Sequence, residues 1–245
     1  MFKKICLIMV SLMFTEMSFA LPDGFVYISG ADPTIKIELR YASDDNFLGR
    51  KVEGYNSPDG AVLTYEAALA LNKAQARFIK DGYSIVVYDA YRPQRAVNDF
   101  ASWSKDLNDQ KNKALFYPRI DKSKVFELGY LIEKSGHSRG STVDISIIKI
   151  NKKLHKIKPK KRRLAGGFEV MYLDDGTVDM GTSFDLFDKA SHFVNSVVPE
   201  KYKKNREYLR RVMESCGFKG YPEEWWHFTF EDEPFKETYW DFVVQ

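Results

Sequence analysis

Cysteine is almost missing from this chain. Of 245 residues only Cys6 and Cys216 carry a thiol, too few for a disulfide framework. Histidine is scarce as well, with His137, His155, His192 and His227 as the full set. Any metal site must therefore be built from these few imidazoles and from carboxylates. No charge of one sign dominates: 37 basic and 34 acidic side chains leave a net of +3, which gives no global reason to expect nucleic acid as a partner. No apolar run approaches the ~20 residues of a membrane-spanning helix. Heptads, Gly-X-Y periodicity, internal repeats and low-complexity tracts are also lacking, which excludes a coiled coil, a collagen-like chain and a solenoid. What is present is 44% hydrophobic and 15% aromatic content, enough for a sizeable core and incompatible with disorder.

The first twenty residues read as an address. Lys3 and Lys4 precede the apolar run Ile5–Phe14, broken only by Ser11, and Ser18-Phe19-Ala20 supplies small residues at cleavage offsets. This layout predicts a secretory signal over residues 1–20 and export to the periplasm or beyond. The ten-residue run is roughly half of what an anchor needs, and Cys6 lies before the run, where a lipoprotein cysteine would not be. Without residues 1–20 the chain has 35 basic and 33 acidic side chains, a net of +2, and Cys216 as its one thiol. Cys216 is expected to pack as a small apolar residue behind a helix end.

Residues 21–245 show no linker and read as one domain. The alternation of TIKIELRYA predicts a strand over 34–42. A helix is predicted over 64–80, with Thr64 as cap, Leu71, Ala74 and Phe78 at helical spacing, and Gly82 past its end. SIVVY, residues 84–88, reads as a buried strand. Helix over 95–105, strand over 142–150, a charged amphipathic helix over 201–216 and a strand over 226–230 complete the pattern. Helices and short strands mix without a βα repeat. The expected class is α+β: a single domain with a small central antiparallel sheet flanked by helices, and a site in a cleft on that sheet.

The segment Lys149–Arg163 contains no acid. It reads as a solvated hairpin excursion, with weak contact to an anionic surface as the functional alternative. His155 inside it reads as a surface histidine, and His192 has no metal role.

Two other segments hold the residue types of a zinc hydrolase. SGHSRGSTVD places His137 and Asp144 seven residues apart, and EEWWH places Glu224 three residues before His227. A catalytic zinc takes three N or O ligands and leaves one position for water. His137, Asp144 and His227 supply two imidazoles and a carboxylate, and Glu224 can take the water's proton. Residues at odd separation on a straight strand face opposite sides, so the chain must turn between His137 and Asp144. Ser138-Arg139-Gly140 offers that turn. Pro222 makes a similar irregularity available before His227. Glu223 points differently and is the weaker candidate for the base. Arg92, in DAYRP at the end of SIVVY, is either a site residue or an ion-pair partner of Asp89.

Taken together, DAYRP, SGHSRGSTVD, MGTSFD and EEWWHF, in this order, resemble the zinc D-alanyl-D-alanine dipeptidases, a family that includes vancomycin-resistance enzymes. The resemblance runs from RYASDDNFLGR to the DEPF and YWDF tail. It implies one Zn2+ per chain on His137, Asp144 and His227, with Glu224 as general base and acid. It further implies Arg92 as the oxyanion donor, Asp185 and Tyr41 as holders of the substrate ammonium, and Ser135 at the substrate carboxylate. The implied substrate is free D-Ala-D-Ala, cleaved in wall-peptide turnover or glycopeptide resistance.

Thr142 stands where this family commonly has Ala, and the basic segment with Gly166-Gly167 looks like an insertion able to cover or narrow the cleft. Two other readings stay open. One is a zinc D,D-carboxypeptidase or peptidoglycan endopeptidase acting on longer peptides. The other is a secreted wall-binding protein with a structural metal site.

Overall fold

The computed structural model describes residues 20–245, so the predicted signal over residues 1–20 falls almost wholly outside the described residues. The elements run β1 (Phe25–Tyr27), α1 (Ile28–Ala31), β2 (Lys36–Ile37), β3 (Val62–Thr64), α2 (Tyr65–Lys80), β4 (Tyr83–Asp89), α3 (Gln94–Lys105) and α4 (Lys113–Phe116). They continue with β5 (Thr142–Lys149), β6 (Lys158–Arg163), β7 (Glu169–Asp174), α5 (Glu200–Glu214), β8 (Phe218–Gly220) and β9 (His227–Phe230). A five-stranded sheet has the order β2-β4-β5-β9-β8, while β1 pairs β3 and β6 pairs β7 in separate two-stranded sheets. The class is mixed α and β in one domain, as expected. The central sheet departs from the expected antiparallel form at one edge, where β2 runs parallel to β4.

The apolar patterns explain the main elements. In α2, Ala67, Leu71, Ala74 and Phe78 form one buried stripe, and Gly82 follows the end with φ +83°. Thr64 stands at the cap position but does not cap with its side chain; its Oγ1 lies 2.7 Å from Ser141 Oγ. In α5, Leu209, Val212 and Met213 face inward, and the helix packs on β8 and α2. Cys216 is a half-buried free thiol packed against the core behind that helix.

The strand predicted over 34–42 is mostly absent. Only Lys36 and Ile37 pair with β4, followed by one further bond from Glu38 N to Val87 O. Leu39, Arg40 and Tyr41 are all buried in succession, which a pleated strand with one inner face cannot achieve. The chain instead makes a short 3-10 turn over Arg40–Ala42, so that Arg40 reaches Asp175 and Tyr41 reaches Asp185. The last strand begins at His227 rather than Trp226.

The basic segment is a hairpin strand. β6 pairs antiparallel with β7 through six residues, and its side chains stay exposed except for half-buried Arg162.

Candidate active site

The register of the central sheet assembles the site. Asp144 on β5 lies directly opposite His227 on β9. On its other side Asp144 lies opposite Asp89 on β4, after a shift in pairing between Val87 and Asp89. Directly opposed residues share a face of the sheet, so Asp89, Asp144 and His227 form one row across three strands. His137 comes to this row from outside the sheet. It sits in a 3-10 turn over Gly136–Arg139 whose N-cap is Ser135; the Ser135 Oγ accepts from His137 N at 3.2 Å. Gly140 then takes φ +84° and turns the chain into β5. The predicted bend between His137 and Asp144 is this turn.

Three donor atoms converge. His137 Nε2 is 3.2 Å from Asp144 Oδ1, His227 Nδ1 is 3.1 Å from the same oxygen, and the two nitrogens are 3.3 Å apart. Asp144 Oδ1 is buried and makes no hydrogen bond. Zinc with bonds of ~2.0–2.1 Å and tetrahedral angles needs ligand atoms about 3.3 Å apart, so the spacing and donor types suit that ion. His137 Nδ1 lies 2.7 Å from the Ala90 carbonyl; donating there leaves the Nε2 lone pair free to bind. Burial alone would raise the Asp144 pKa, but the neighbouring His137 and His227 hold it well below the usual carboxylate range. Burial also lowers the His227 pKa, which favours the neutral ring a metal requires.

Glu224 Oε2 lies 3.4 Å from His227 Nδ1. A turn over Pro222–Trp226 places it there, fixed by Trp225 N donating to Ser191 O at 3.1 Å. Burial first, then the charges of Asp144 and Asp185, push the Glu224 pKa well above its ordinary value. Glu223 contacts the Tyr221 hydroxyl instead and lines a neighbouring cleft with His192.

Arg92 ends the row on the other side. Its Nε donates to Asp89 Oδ2 at 2.8 Å and its Nη2 is 3.5 Å from Asp144 Oδ2. The guanidinium also lies 5.1 Å from the ring centres of Tyr41 and Phe100. Arg92 therefore pairs with Asp89, as one of its two readings had it, and also lines the cavity. The Tyr55 hydroxyl completes the buried network by donating to Asp89 Oδ1 at 2.6 Å. Asp185 Oδ2 accepts from the Tyr41 hydroxyl at 2.8 Å, and burial, then the charge of Asp144, pushes its pKa well above normal.

One cavity of about 260 Å³ is lined by Tyr41, Arg92, Ser135, His137, Asp144, Asp185, Glu224 and His227. All eight residues singled out in the sequence thus share it. Its remaining lining includes Phe100, Tyr221 and the turn segment Gly129–Ile132. These last residues carried no signal in the sequence, because a cavity lining has no periodicity. Asp89 did carry one, standing three residues before Arg92, yet its contact with Tyr55 could not be read. The basic hairpin lines no part of the cavity, which corrects the expectation that it covers or narrows the cleft; it instead reaches the body through Arg162, which pairs with Asp179 and lies over the ring of Tyr202 on α5. His155 is exposed, as read, at 3.7 Å from Asp174, and His192 stands apart from the three-donor group.

The family model described as D-ala-D-ala dipeptidase matches residues 22–155 and 169–245. Among curated relatives, the D-alanyl-D-alanine dipeptidase of Streptomyces coelicolor is 36% identical over 221 residues, covering 90% of this chain and 98% of the relative. That of Enterococcus faecium is 34% identical over 223 residues, covering 91% and 98%. The enzyme of that name from Escherichia coli K12 is 29% identical over 199 residues, with 80% and 79% covered. With this similarity spanning nearly all of its described length, the chain belongs to the D-ala-D-ala dipeptidase family of metallopeptidases.

Proposed function

We propose that this protein hydrolyses free D-alanyl-D-alanine to two D-alanines with a zinc ion held by His137 Nε2, Asp144 Oδ1 and His227 Nδ1. The observation that carries the reading is the meeting of four kinds of group in one small cavity: the three-donor set, the base Glu224, the cation Arg92 and the buried Asp185–Tyr41 pair. Zinc there supplies Lewis acidity and brings the acidity of water into the neutral range.

The chain's own residues do the rest. Glu224, with its pKa raised by burial, accepts the proton of the attacking water and passes it to the leaving amine. Arg92 stays charged despite burial because Asp89 holds it, and donates to the oxyanion as the carbonyl carbon becomes tetrahedral. A well-aimed donor of this kind is worth about 3–4 kcal/mol. Asp185, oriented by the Tyr41 hydroxyl, receives the substrate ammonium, so a peptide without a free N-terminus leaves a buried carboxylate unpaired. Ser135 stands beside His137 as its cap and borders the cavity, where it meets the substrate carboxylate. At about 260 Å³ the cavity is below the ~300–1,000 Å³ typical of drug-sized ligands and suits a dipeptide. The signal-like residues 3–20 support an exported enzyme acting on wall-derived dipeptide outside the inner membrane.

D-Alanine release tests this reading. Free D-Ala-D-Ala is expected to be cleaved in a chelator-sensitive manner, and N-acetyl-D-Ala-D-Ala to resist. Glu224→Ala should keep its zinc, measured by metal analysis, and lose roughly 10²–10⁴-fold in turnover. Cleavage of the blocked peptide would move the protein to the carboxypeptidase reading. Near wild-type turnover by zinc-loaded Glu224→Ala would remove Glu224 as the base.

A further inference from the structure

Positive charge is spread very unevenly over this protein. Residues 149–163 hold nine of the 37 lysines and arginines and no acid. The rest of the chain carries 28 basic against 34 acidic side chains, a net of −6. The near-neutral total thus hides an acidic body with one strongly basic hairpin.

Only part of that charge is neutralised in place. Lys160 pairs with Asp174, Arg162 with Asp179 and Arg163 with Glu169. Lys149, Lys152, Lys153, Lys156, Lys158 and Lys161 are exposed, and no carboxylate of the described residues lies within 4.0 Å of their ammonium groups. Ile150, between Lys149 and Lys152, is 54% exposed and places an apolar side chain among them.

This is a built platform rather than a loose charged tail. β6 is held to β7 by a six-residue ladder, Leu154 and Ile157 pack against the core, and His155 N donates to Asp175 O at 3.0 Å. The loop 151–157 also approaches Gly176 so closely that a Cβ there would lie 2.8 Å from Lys153 O. Folding has already fixed the backbone, so a partner meets charges whose positions are largely set. None of these residues lines the active-site cavity, and residues 156–168 lie outside the family match, so the shared chemistry does not require them.

We propose that the basic hairpin, through residues 149–161, docks the protein on a bilayer surface containing anionic phospholipid. Lysines near such a surface gain from its negative potential, and the interface also accepts an exposed isoleucine. A soluble polyanion would use the ammonium groups but leave Ile150 in water. Repulsion of the acidic body by the same surface turns the hairpin towards it. The proposal is independent of the catalytic reading, because it draws on no cavity residue.

Flotation of residues 21–245, the chain without its predicted signal, with phosphatidylcholine vesicles, with and without phosphatidylglycerol, tests it. The wild type is expected to float with phosphatidylglycerol vesicles at low salt and to be released at high salt. Joint replacement of Lys152, Lys153, Lys156, Lys158 and Lys161 by Gln should weaken this on the order of tenfold or more. Ile150→Ser should weaken it less. Circular dichroism and the thermal midpoint of both variants should match wild type, which shows that they are folded. Equal flotation of the five-lysine variant and the wild type would overturn the proposal. So would equal wild-type binding to pure phosphatidylcholine. A wild type that ignores both vesicles but binds poly-glutamate through the same lysines would replace the bilayer with an acidic polymer.

Discussion

Asp185 is the sole non-glycine among the described residues with a positive φ, at 58°. A left-handed conformation costs an L-residue roughly 1–2 kcal/mol, less for Asp and Asn, whose short polar side chains bond locally. Here it aims the carboxylate at the Tyr41 hydroxyl and the cavity. Burial, with the charge of Asp144 beside it, adds a second cost by raising the pKa, so the ionised form is disfavoured. A raised carboxyl contributes its stability below the unfolded pKa of about 4 and loses it as pH climbs through the higher folded value. Asn cannot ionise and tolerates the same φ. Asp185→Asn should therefore be more stable than wild type at neutral pH in chelator, with the gap closing towards pH 4, and should bind dipeptide more weakly. Thermal melts at several pH values check this; a variant less stable than wild type at neutral pH would sink it. At this scale the sequence was informative wherever chemistry admits few residue types. Two imidazoles, an Asp and a Glu at catalytic spacing are hard to read otherwise. The Tyr55 bond to Asp89 had no such constraint, because it depends on a pairing shift in β4 that no local pattern announces.

Between elements, the decisive connection is the turn from His137 into β5. Gly140 has φ +84°, and a Cβ there would lie 2.2 Å from Phe25 Cε1. Gly140→Ala meets both the dihedral and the steric penalty, so a loss of about 2 kcal/mol or more is expected by denaturant unfolding. Because the same turn presents His137 to Asp144, metal retention should fall with it. A variant as stable and as metal-rich as wild type would show that the turn does not set the site. Long helices were legible because α2 and α5 repeat their apolar residues at helical spacing. β1, β3 and β8 are three residues each, too short for an alternation to emerge. β6 was legible as part of a solvated hairpin, but its bounds were not: as an exposed edge strand it carries KPKKRR, charge that protects an edge and erases the usual strand signature. The 34–42 stretch misled in the opposite direction, since its alternation belongs to a turn that buries both Arg40 and Tyr41.

For the whole molecule, the site is a concentration of carboxyl groups within a shared fold. Asp89, Asp144, Asp185 and Glu224 meet around Arg92, and a divalent cation bound only by the folded state would stabilise it. At a free metal concentration a thousandfold above Kd the gain is about 4 kcal/mol. With about 2–4 °C per kcal/mol for a domain of this size, chelation should lower Tm on the order of 10 °C. His227→Ala should show little further change on chelation; an unmoved wild-type Tm would argue against a metal held here. That the described residues form one domain, with two of the rare histidines meeting in it, was legible from the absence of linkers and the spacing of those histidines. How its parts divide the labour was not. His137, Asp144 and His227 are set by strands and a capped turn, whereas Gly129–Ile132 on the facing side belong to a stretch from Val125 to Ser135 without helix or strand. Such a stretch tolerates insertions and exchanges that paired strands do not. Descendants of this protein can therefore explore new peptides by altering one irregular stretch while the hydrolytic machinery passes through the change untouched.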